Sequence, residues 1–394
     1  MLQVMTGRLY IQTIQLKHFS RFNNTQIKSA FFALFISLAS SSYALSHLKN
    51  DFRDTNNTYN LSLNIDAVSD NLPLDLFDEK WTKLPTKQKN NNAFLNLNFD
   101  AHMEFNNFNI GVFSQEIGEF YLNNGFIQTW YMVDTDFANL LLNSSINQNL
   151  DSLPVKANAN STKINGIYLQ KIVSLNSNHH LSTKLKLNIA HELNYLDVTG
   201  ETNSEDFVAS LDYYYSGENI LTDANSKSKN DLGVGYGIDL EYIYNNDSLY
   251  IYLGAFNISS YIYWDNISFM HYGFDSKTIY VGDDGYNHYK PFGVGYYKYN
   301  INFKQKLPTY YKTALNYMVK DNFALGYNLD IYESMQFNEL YTNFNVHNSS
   351  YKLGYILESK DLSLGLYFKN FLLEITSKPF FSNDLVQINT RYSF

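Results

Sequence analysis

The feature that most constrains the fold is an alternation of apolar and polar residues that recurs along much of the chain. Between 59 and 67, apolar side chains occupy the odd positions, and Asn, Ser or Asp occupy the even ones. The same pattern returns at 93–105, 185–195 and 323–331. A period of two places successive side chains on opposite faces of a β-strand. The sequence therefore predicts many strands, each with one apolar and one polar face.

The composition suits strands that stand in a membrane. Aromatic residues make up 17% of the chain, with 34 Tyr and 29 Phe but 3 Trp, and aromatic girdles are typical where a barrel wall meets lipid headgroups. Beyond residue 44, no apolar stretch is long enough for a transmembrane helix. A membrane protein without such helices has to be a closed barrel, because an open sheet edge leaves backbone groups unpaired in lipid. We expect an all-β fold: a transmembrane antiparallel β-barrel of about 16 strands, roughly 14 to 18.

An export signal precedes the first strand. Residues 29–38 form a short apolar run with basic residues before it, and the Ser-Tyr-Ala sequence at 42–44 matches a signal-peptidase site. An inner-membrane anchor is the alternative, although the run is short for a bilayer. We expect a signal peptide with an extended N-region (1–44), an N-terminal strand with a long loop or plug-like segment (45–92), and the barrel (93–394).

Turn signals fit a barrel with short turns at one end and long loops at the other. Leu366 and Phe368 occupy even positions, whereas Phe371 and Leu373 occupy odd ones, so the phase flips at 369–370. A two-residue hairpin has this effect and places Phe368 opposite Phe371; a β-bulge is the alternative. Long loops are expected at 68–92, 143–162, 216–230 and 263–292.

The end of the chain carries the sharpest local motif. Ile388, Tyr392 and Phe394 alternate with polar residues. This pattern resembles the terminal β-signal that the outer-membrane assembly machinery reads. With the export signal, it implies the outer membrane of a Gram-negative bacterium, and outer-membrane lipid and the assembly machinery as partners.

Charge and residue usage argue against several functions. The net charge is −9 with no basic run, so we expect no nucleic-acid partner. The absence of Cys excludes thiolate metal sites and thiol catalysis. His179-His180 lies among Asn and Ser and is expected in a solvated turn. His191 falls on an apolar face, as an outer-membrane phospholipase would need, but no triad accompanies it. We expect no enzyme activity, no cofactor and no metal.

Three alternating glycines, Gly233, Gly235 and Gly237, superficially suggest a nucleotide-binding loop. Such a loop needs a helix after its glycines, whereas residues 238–244 alternate as a strand does. We therefore expect the glycines to ease a tightly curved strand.

Polar residues at alternating positions are expected to line the lumen. The candidates are Asp100, Glu104, Lys186, Glu192, Asp239, Glu241, Asn328 and Asp330. Without a rigid partner, the carboxylates among them indicate lining rather than acid–base catalysis. The strand at 249–258 is apolar on both faces. Its residues Tyr250, Tyr252 and Phe256 are expected to form an apolar interior surface, which either lines a channel or packs against an inward-folded segment such as 68–92.

Two stretches carry a resemblance to a known family. The first is LGVGYGIDL at 232–240, followed by LGAFNI at 253–258 and by Trp264. The second is LPTYYKTALNY at 307–317, followed by FALGYNLD at 323–330. Together they resemble the long-chain fatty-acid transporter family and its relatives, which include TraF-like barrels of conjugal transfer. The resemblance implies an outer-membrane transport barrel, although the family's N-terminal plug is not recognisable before residue 92.

We therefore expect a passive outer-membrane channel or transporter for small molecules, hydrophobic ones included. The alternative is a non-transporting envelope barrel that acts as a scaffold, an adhesin, or a component of secretion or conjugation. A soluble secreted β-protein is a third interpretation. The lumen discriminates between the first two: a continuous path or lateral opening favours transport, and a lumen packed shut favours a scaffold.

Overall fold

The computed structural model describes residues 58–69, 91–105, 107–126, 153–202, 207–216, 232–275, 279–281, 285–289, 293–346, 349–368, 371–377 and 385–393. The expected signal peptide at 1–44 and the last aromatic residue, Phe394, lie outside these ranges, as does most of the expected loop at 68–92. Within them, no helix is long and apolar enough to cross a membrane.

The described part of the chain is almost entirely β-structure, with one helical turn at 124–126. The strands are β1 (Thr58–Ser69), β2 (Asn91–Phe105), β3 (Phe108–Leu122), β4 (Leu153–Ser174), β5 (His179–Thr202), β6 (Phe207–Ser216), β7 (Gly233–Asn245), β8 (Leu249–Phe256), β9 (Tyr261–Asp275), β10 (Ile279–Val281), β11 (Asn287–Tyr289), β12 (Gly293–Lys306), β13 (Tyr310–Lys320), β14 (Phe323–Tyr332), β15 (Met335–Val346), β16 (Ser349–Ile356), β17 (Leu362–Phe368), β18 (Phe371–Ser377) and β19 (Leu385–Ser393).

The strands close into a barrel because the first one pairs on both sides. Leu61 of β1 lies opposite Ala101 of β2 on one side and opposite Tyr392 of β19 on the other. Sixteen strands form the closed barrel. Strands β1 to β5 pair in order, β5 pairs with both β6 and β7, β6 leads to β9, and β7 leads through β8 to β13 and on to β19. Strand β12 pairs with β9 as a further strand. Every pairing is antiparallel. The predicted all-β antiparallel barrel and its strand number are confirmed.

The two ends of the barrel differ in their connections. Short turns join β2 to β3, β4 to β5, β7 to β8, β13 to β14, β15 to β16 and β17 to β18, at the end where β1 starts and β19 finishes. The strand ends at Ser69, Asn91, Leu122 and Leu153, which flank the long connections after β1 and β3, lie at the other end. Outer-membrane barrels keep short turns on the periplasmic side. We therefore name the two ends the periplasmic end and the loop end.

Three neighbouring positions in the wall are each filled by two strands placed end to end. β5 pairs with β7 along 179–190 and with β6 along 193–202. β8 continues into β9 after a break at 257–260, and β12 continues into β13 after a break at 307–309. β8 pairs with β13 below these breaks, and β9 pairs with β12 above them. Strands β6, β9 and β12 thus form an upper sheet at the loop end.

The two faces of the wall follow the sequence alternation. Leu187 and Leu364 point outwards and are 62% and 60% exposed, whereas their polar neighbours Asn188 and Ser363 point inwards and are buried. An apolar exterior around a polar interior is the reverse of a water-soluble domain. It suits a wall that stands in lipid.

The hairpin predicted at 369–370 is confirmed. Phe368 pairs with Phe371, and Leu366 pairs with Leu373. The β-bulge alternative is wrong, because the register continues without a shift on both sides of the turn.

The glycine run lies in strand β7, as predicted, and it lies against the start of β9. A Cβ atom on Gly235 would be 2.1 Å from the carbonyl oxygen of Tyr261, and one on Gly233 would be 2.7 Å from the Trp264 ring. The glycines therefore permit the close approach of β9 where the wall breaks.

Two of the expected loops prove to contain strands. β4 begins at Leu153, inside the range 143–162, and β9 extends to Asp275, inside the range 263–292. Asn266 and Asn300 have φ angles of 58°, and the β9–β12 register shifts near them. These irregularities break the period of two in β9 and β12.

Candidate functional site

Side chains from opposite sides of the wall meet inside the barrel towards the loop end. The ring of Phe94 on β2 lies 4.6 Å from that of Tyr332 on β14 and 5.5 Å from that of Tyr310 on β13, between centroids. Phe256 of β8 stacks on Tyr310 at 4.7 Å. We call these four residues the aromatic layer. Because β2 and β14 are nearly opposite in the strand circuit, the layer closes the bore at this level.

The apolar packing continues upwards from the aromatic layer into the upper sheet. Trp264 of β9 is fully buried, and its Nε1 donates a hydrogen bond to Gln305 Oε1 at 3.0 Å. Phe303 of β12 stacks on Tyr214 at 4.5 Å and contacts Tyr195 at 5.1 Å. These side chains belong to one continuous hydrophobic cluster with the aromatic layer.

The structure places the three expected apolar lining residues on the inner face of β8. Phe256 is part of the aromatic layer. The Tyr252 hydroxyl donates to Glu241 at 3.0 Å, so this ring covers a carboxylate, and Tyr250 is half-buried. Phe256 packs against Tyr310, a residue of the barrel wall. The sequence did not indicate this contact.

Beneath the aromatic layer, towards the periplasmic end, the interior becomes polar. Asp100 and Glu104 flank His102, whose Nδ1 lies 2.7 Å from Asp100 and whose Nε2 lies 3.5 Å from Glu104. The Tyr168 hydroxyl donates to Asp100 at 2.9 Å, and Asn60 donates to Glu104 at 3.0 Å. Two of the candidate lining carboxylates thus belong to one network that spans β1, β2 and β4.

A second polar network joins Asp330 to residues that the sequence analysis did not single out. Lys312 Nζ lies 3.0 Å from both carboxylate oxygens of Asp66, which is fully buried. Gln387 Nε2 donates to Asp330 at 3.0 Å and to Asp66 at 3.3 Å. Burial of Asp66 without a cation would be strongly unfavourable, so Lys312 is the residue that permits it.

Further buried ion pairs complete the interior. Lys352 lies 2.9 Å from Glu339, to which Asn328 also donates at 2.6 Å. Lys186 lies 2.8 Å from Asp239. Each of these lysines lies beside a carboxylate, so opposite charges are mixed along the described interior, unlike the single-sign rings of ion-selective pores.

Hydrogen bonds of Asn257 join the strands on both sides of the breaks in the wall. Lys186 Nζ also donates to the side-chain oxygen of Asn257 at 2.7 Å, and the Asn257 backbone N–H donates to Asp239 at 2.8 Å. Asn257 Nδ2 reaches the carbonyl of Pro308 at 3.1 Å. This one asparagine, which has a φ of 56°, therefore ties the break in β8–β9 to the break in β12–β13.

Glu192 is an exception among the candidate lumen residues, and its expected position is wrong. Ala190 pairs with Ile164 and Glu192 pairs with Lys163, so His191 is an extra residue in β5. This β-bulge inverts the alternation. Glu192 therefore lies on the outer face, 2.8 Å from Lys163 and 38% exposed, while Leu193 turns inwards and is fully buried.

The remaining sequence candidates lie apart from the bore. Ile388 pairs with Ile65 and Ile375, and Tyr392 pairs with Leu61 and Phe371, so both hold the barrel seam. His179 lies beside the β4–β5 turn, with Nδ1 2.7 Å from the Tyr242 hydroxyl. In the described ranges, no group of three or more His, Asp or Glu residues could hold a metal ion.

No protein-family model matches this chain, and no curated protein sequence matches it. Several solved outer-membrane barrels are similar in structure. A mutant form of TodX, a monoaromatic hydrocarbon channel, has a TM-score of 0.43 and 10% identity, covering 90% of this chain and 95% of its own. A Pseudomonas aeruginosa FadL homologue has a TM-score of 0.37 and 8% identity, covering 86% and 87%. The translocator domain of autotransporter NalP from Neisseria meningitidis has a TM-score of 0.30 and 7% identity, covering 93% of this chain and 95% of its own.

The resemblance to FadL-type barrels noted in the sequence thus recurs among the solved structures. At these TM-scores and identities the likeness supports no inference about function.

Proposed function

We propose that the protein is an outer-membrane transporter that passes small apolar molecules passively, without enzyme chemistry or a cofactor. The observation that carries this proposal is the aromatic layer across the bore. At this level the described wall presents four aromatic rings to anything that passes, with Phe94 and Tyr332 at the contact.

The chemistry of the layer favours apolar solutes over ions. A solute that slips between the rings buries apolar surface, which contributes about 25 cal/mol per Å². A narrow apolar constriction dewets, which opposes hydrated ions. The charges beneath the layer include ion pairs of opposite sign, such as Lys312 with Asp66.

The names of two structural neighbours supply solutes for a first test. One is described as a monoaromatic hydrocarbon channel and another as a FadL homologue. A small aromatic hydrocarbon and a long-chain fatty acid are therefore the probes.

One observation favours a second candidate function. The aromatic layer and the buried ion pairs leave the described bore closed, as a non-transporting envelope barrel would be. In that case Phe94 and Tyr332 are a permanent closure, and the barrel serves as a scaffold or as a secretion or conjugation component.

Uptake by whole cells separates the two functions. Cells without the protein would be supplied with the wild type or with a Phe94→Trp variant, which fills the layer further. Accumulation of labelled toluene and of a labelled long-chain fatty acid would be measured. Phe99→Trp, on the outer face of the same strand, is the control.

We expect the wild type and the control to raise uptake of at least one solute, and Phe94→Trp to reduce it. Equal uptake with and without the protein, for both solutes, would overturn transport and leave the scaffold.

A further inference from the structure

The outer face of the barrel has a depression in its periplasmic half, across strands β1 to β5. Its volume is about 690 Å³, which lies within the range of small-molecule sites. The lining includes Ile110 and Val112 of β3 and Ile167 and Leu169 of β4, all exposed and outward-facing. This is a shaped apolar surface rather than a flat stretch of barrel wall.

Two glycine–aromatic pairs explain why the wall curves inwards here. Gly111 pairs with Tyr168, and Gly166 pairs with Phe113. A Cβ atom on Gly111 would lie 2.6 Å from the Tyr168 ring, and one on Gly166 would lie 2.5 Å from the Phe113 ring. Each ring thus lies directly on a bare glycine backbone on the inner face. Paired glycines of this kind permit a sheet to bend sharply.

The depression does not lead into the bore. β2 pairs with β3 from Asn91 to Phe105 without a register shift, and β3 pairs with β4 from Phe108 to Leu122 in the same way. Unbroken backbone pairing closes the wall beneath the depression. Whatever occupies it therefore comes from the surrounding membrane and not from the lumen.

A cation marks the periplasmic edge of the depression. Lys171 pairs with Phe108 on the outer face, and its Nζ lies 5.3 Å from the centroid of the Phe108 ring. The next pair along the same face is Leu169 with Ile110, which lines the depression. Same-face neighbours in a strand are roughly 7 Å apart. The exposed ammonium thus lies one step from the apolar surface, near the periplasmic end of β4.

We propose that this depression and Lys171 bind one phospholipid of the periplasmic leaflet. An acyl chain lies against Val112 and Ile167, and the phosphate accepts hydrogen bonds from Lys171, a side chain suited to phosphate as a point charge. This lipid is bound through both its phosphate and an acyl chain. Lipids elsewhere around the wall contact it through their acyl chains alone. The proposal rests on the membrane-barrel fold and is independent of transport.

Native mass spectrometry of the purified full-length mature barrel tests the proposal. The protein would be loaded with phosphatidylglycerol in mixed micelles, and the lipids that survive collisional removal of detergent would be counted. The test variants are Val112→Trp, which fills the depression, and Lys171→Gln. The matched controls are Leu353→Trp, on the outer face of β16, and Lys320→Gln, at the same periplasmic edge on β13. Heat-modifiable gel migration checks that each variant folds.

We expect the wild type and both controls to retain one phospholipid, and both test variants to lose it. Retention by folded Val112→Trp, or equal loss from the Leu353→Trp control, would overturn the site. Loss from Val112→Trp with full retention by Lys171→Gln would overturn the headgroup contact with Lys171 and leave a site that holds the acyl chain alone. A doubled protein mass that disappears in Val112→Trp would assign the surface to a second copy of the chain.

Discussion

The ring of Phe94 lies 4.6 Å from the ring of Tyr332, although their strands stand on nearly opposite sides of the barrel. Contact between facing walls means that the bore is closed by the wall's own side chains at this level. Both rings are fully buried, and Tyr310 and Phe256 pack beside them. Transport through the bore therefore requires that an apolar solute can displace these rings.

Shortening one ring of the layer should open the bore to ions. In Phe94→Ala the contact with Tyr332 and Tyr310 is lost, and a cavity replaces it, at a cost of about 3–5 kcal/mol in the free energy of unfolding. Single-channel recording in a planar bilayer should show higher conductance than the wild type. Phe99→Ala removes an exposed ring from the outer face of the same strand and should leave conductance unchanged. Equal conductance in all three proteins would show that another part of the chain closes the bore.

The ion pair between Lys312 and Asp66 should be needed for stability. Lys312→Met leaves the fully buried Asp66 carboxylate without its cation, which should cost about 3–5 kcal/mol. Urea unfolding in micelles, followed by tryptophan fluorescence, measures the loss. The double variant Lys312→Met with Asp66→Asn should recover most of it, because no charge is then buried alone. A double variant as unstable as the single one would show that the carboxylate is not the cause.

Adjacent residues on one strand test the assignment of the two faces. Phe99 points outwards and is 46% exposed, while its neighbour Asn98 points inwards and is half-buried. Phe99→Arg places a charge in lipid and should cost about 2–4 kcal/mol near the midplane. Asn98→Arg should cost much less, since it enters the polar interior. Unfolding midpoints in urea give both values, and a larger loss for Asn98→Arg would reverse the assignment.

The glycines of β7 should be intolerant of a side chain where the wall breaks. Gly235→Ala brings a methyl group to 2.1 Å from the Tyr261 carbonyl oxygen, so the backbone has to shift. We expect a loss of about 1–3 kcal/mol, as overpacking costs elsewhere. In Gly273→Ala the nearest atom is 3.8 Å away, and the loss should be negligible. Heat-modifiable migration over a temperature series compares the two, and equal midpoints would contradict the proposed close approach.

Much of the fold follows from local pattern because a strand's period of two is visible in the sequence. The phase flip at 369–370 predicted that Phe368 pairs with Phe371, and it does. Glu192 was misplaced because the bulge at His191 leaves no mark on the residue types. Leu193 and Tyr195 continue an apolar series that looks uninterrupted, yet they turn from the outer face to the interior.

The interior was less predictable, because its contacts join residues far apart in the chain. The alternation of side chains along single strands was enough to place Asp100, Asp330 and Phe256 on the inner face. Nothing near Phe94 or Asp66 in the sequence indicates that they meet Tyr332 and Lys312. Those contacts depend on barrel closure and on the breaks at 257–260 and 307–309.

The most direct test of the proposed function is whether an apolar solute reaches the packed interior. Trp264 is buried in the cluster that contains the aromatic layer, and replacing Trp81 and Trp130 with Phe leaves it as the single tryptophan of the chain. A brominated hydrocarbon quenches tryptophan only on contact. We predict saturable quenching of Trp264 in the refolded single-tryptophan barrel. Fluorescence that stays unquenched at every solute concentration would contradict transport through this layer.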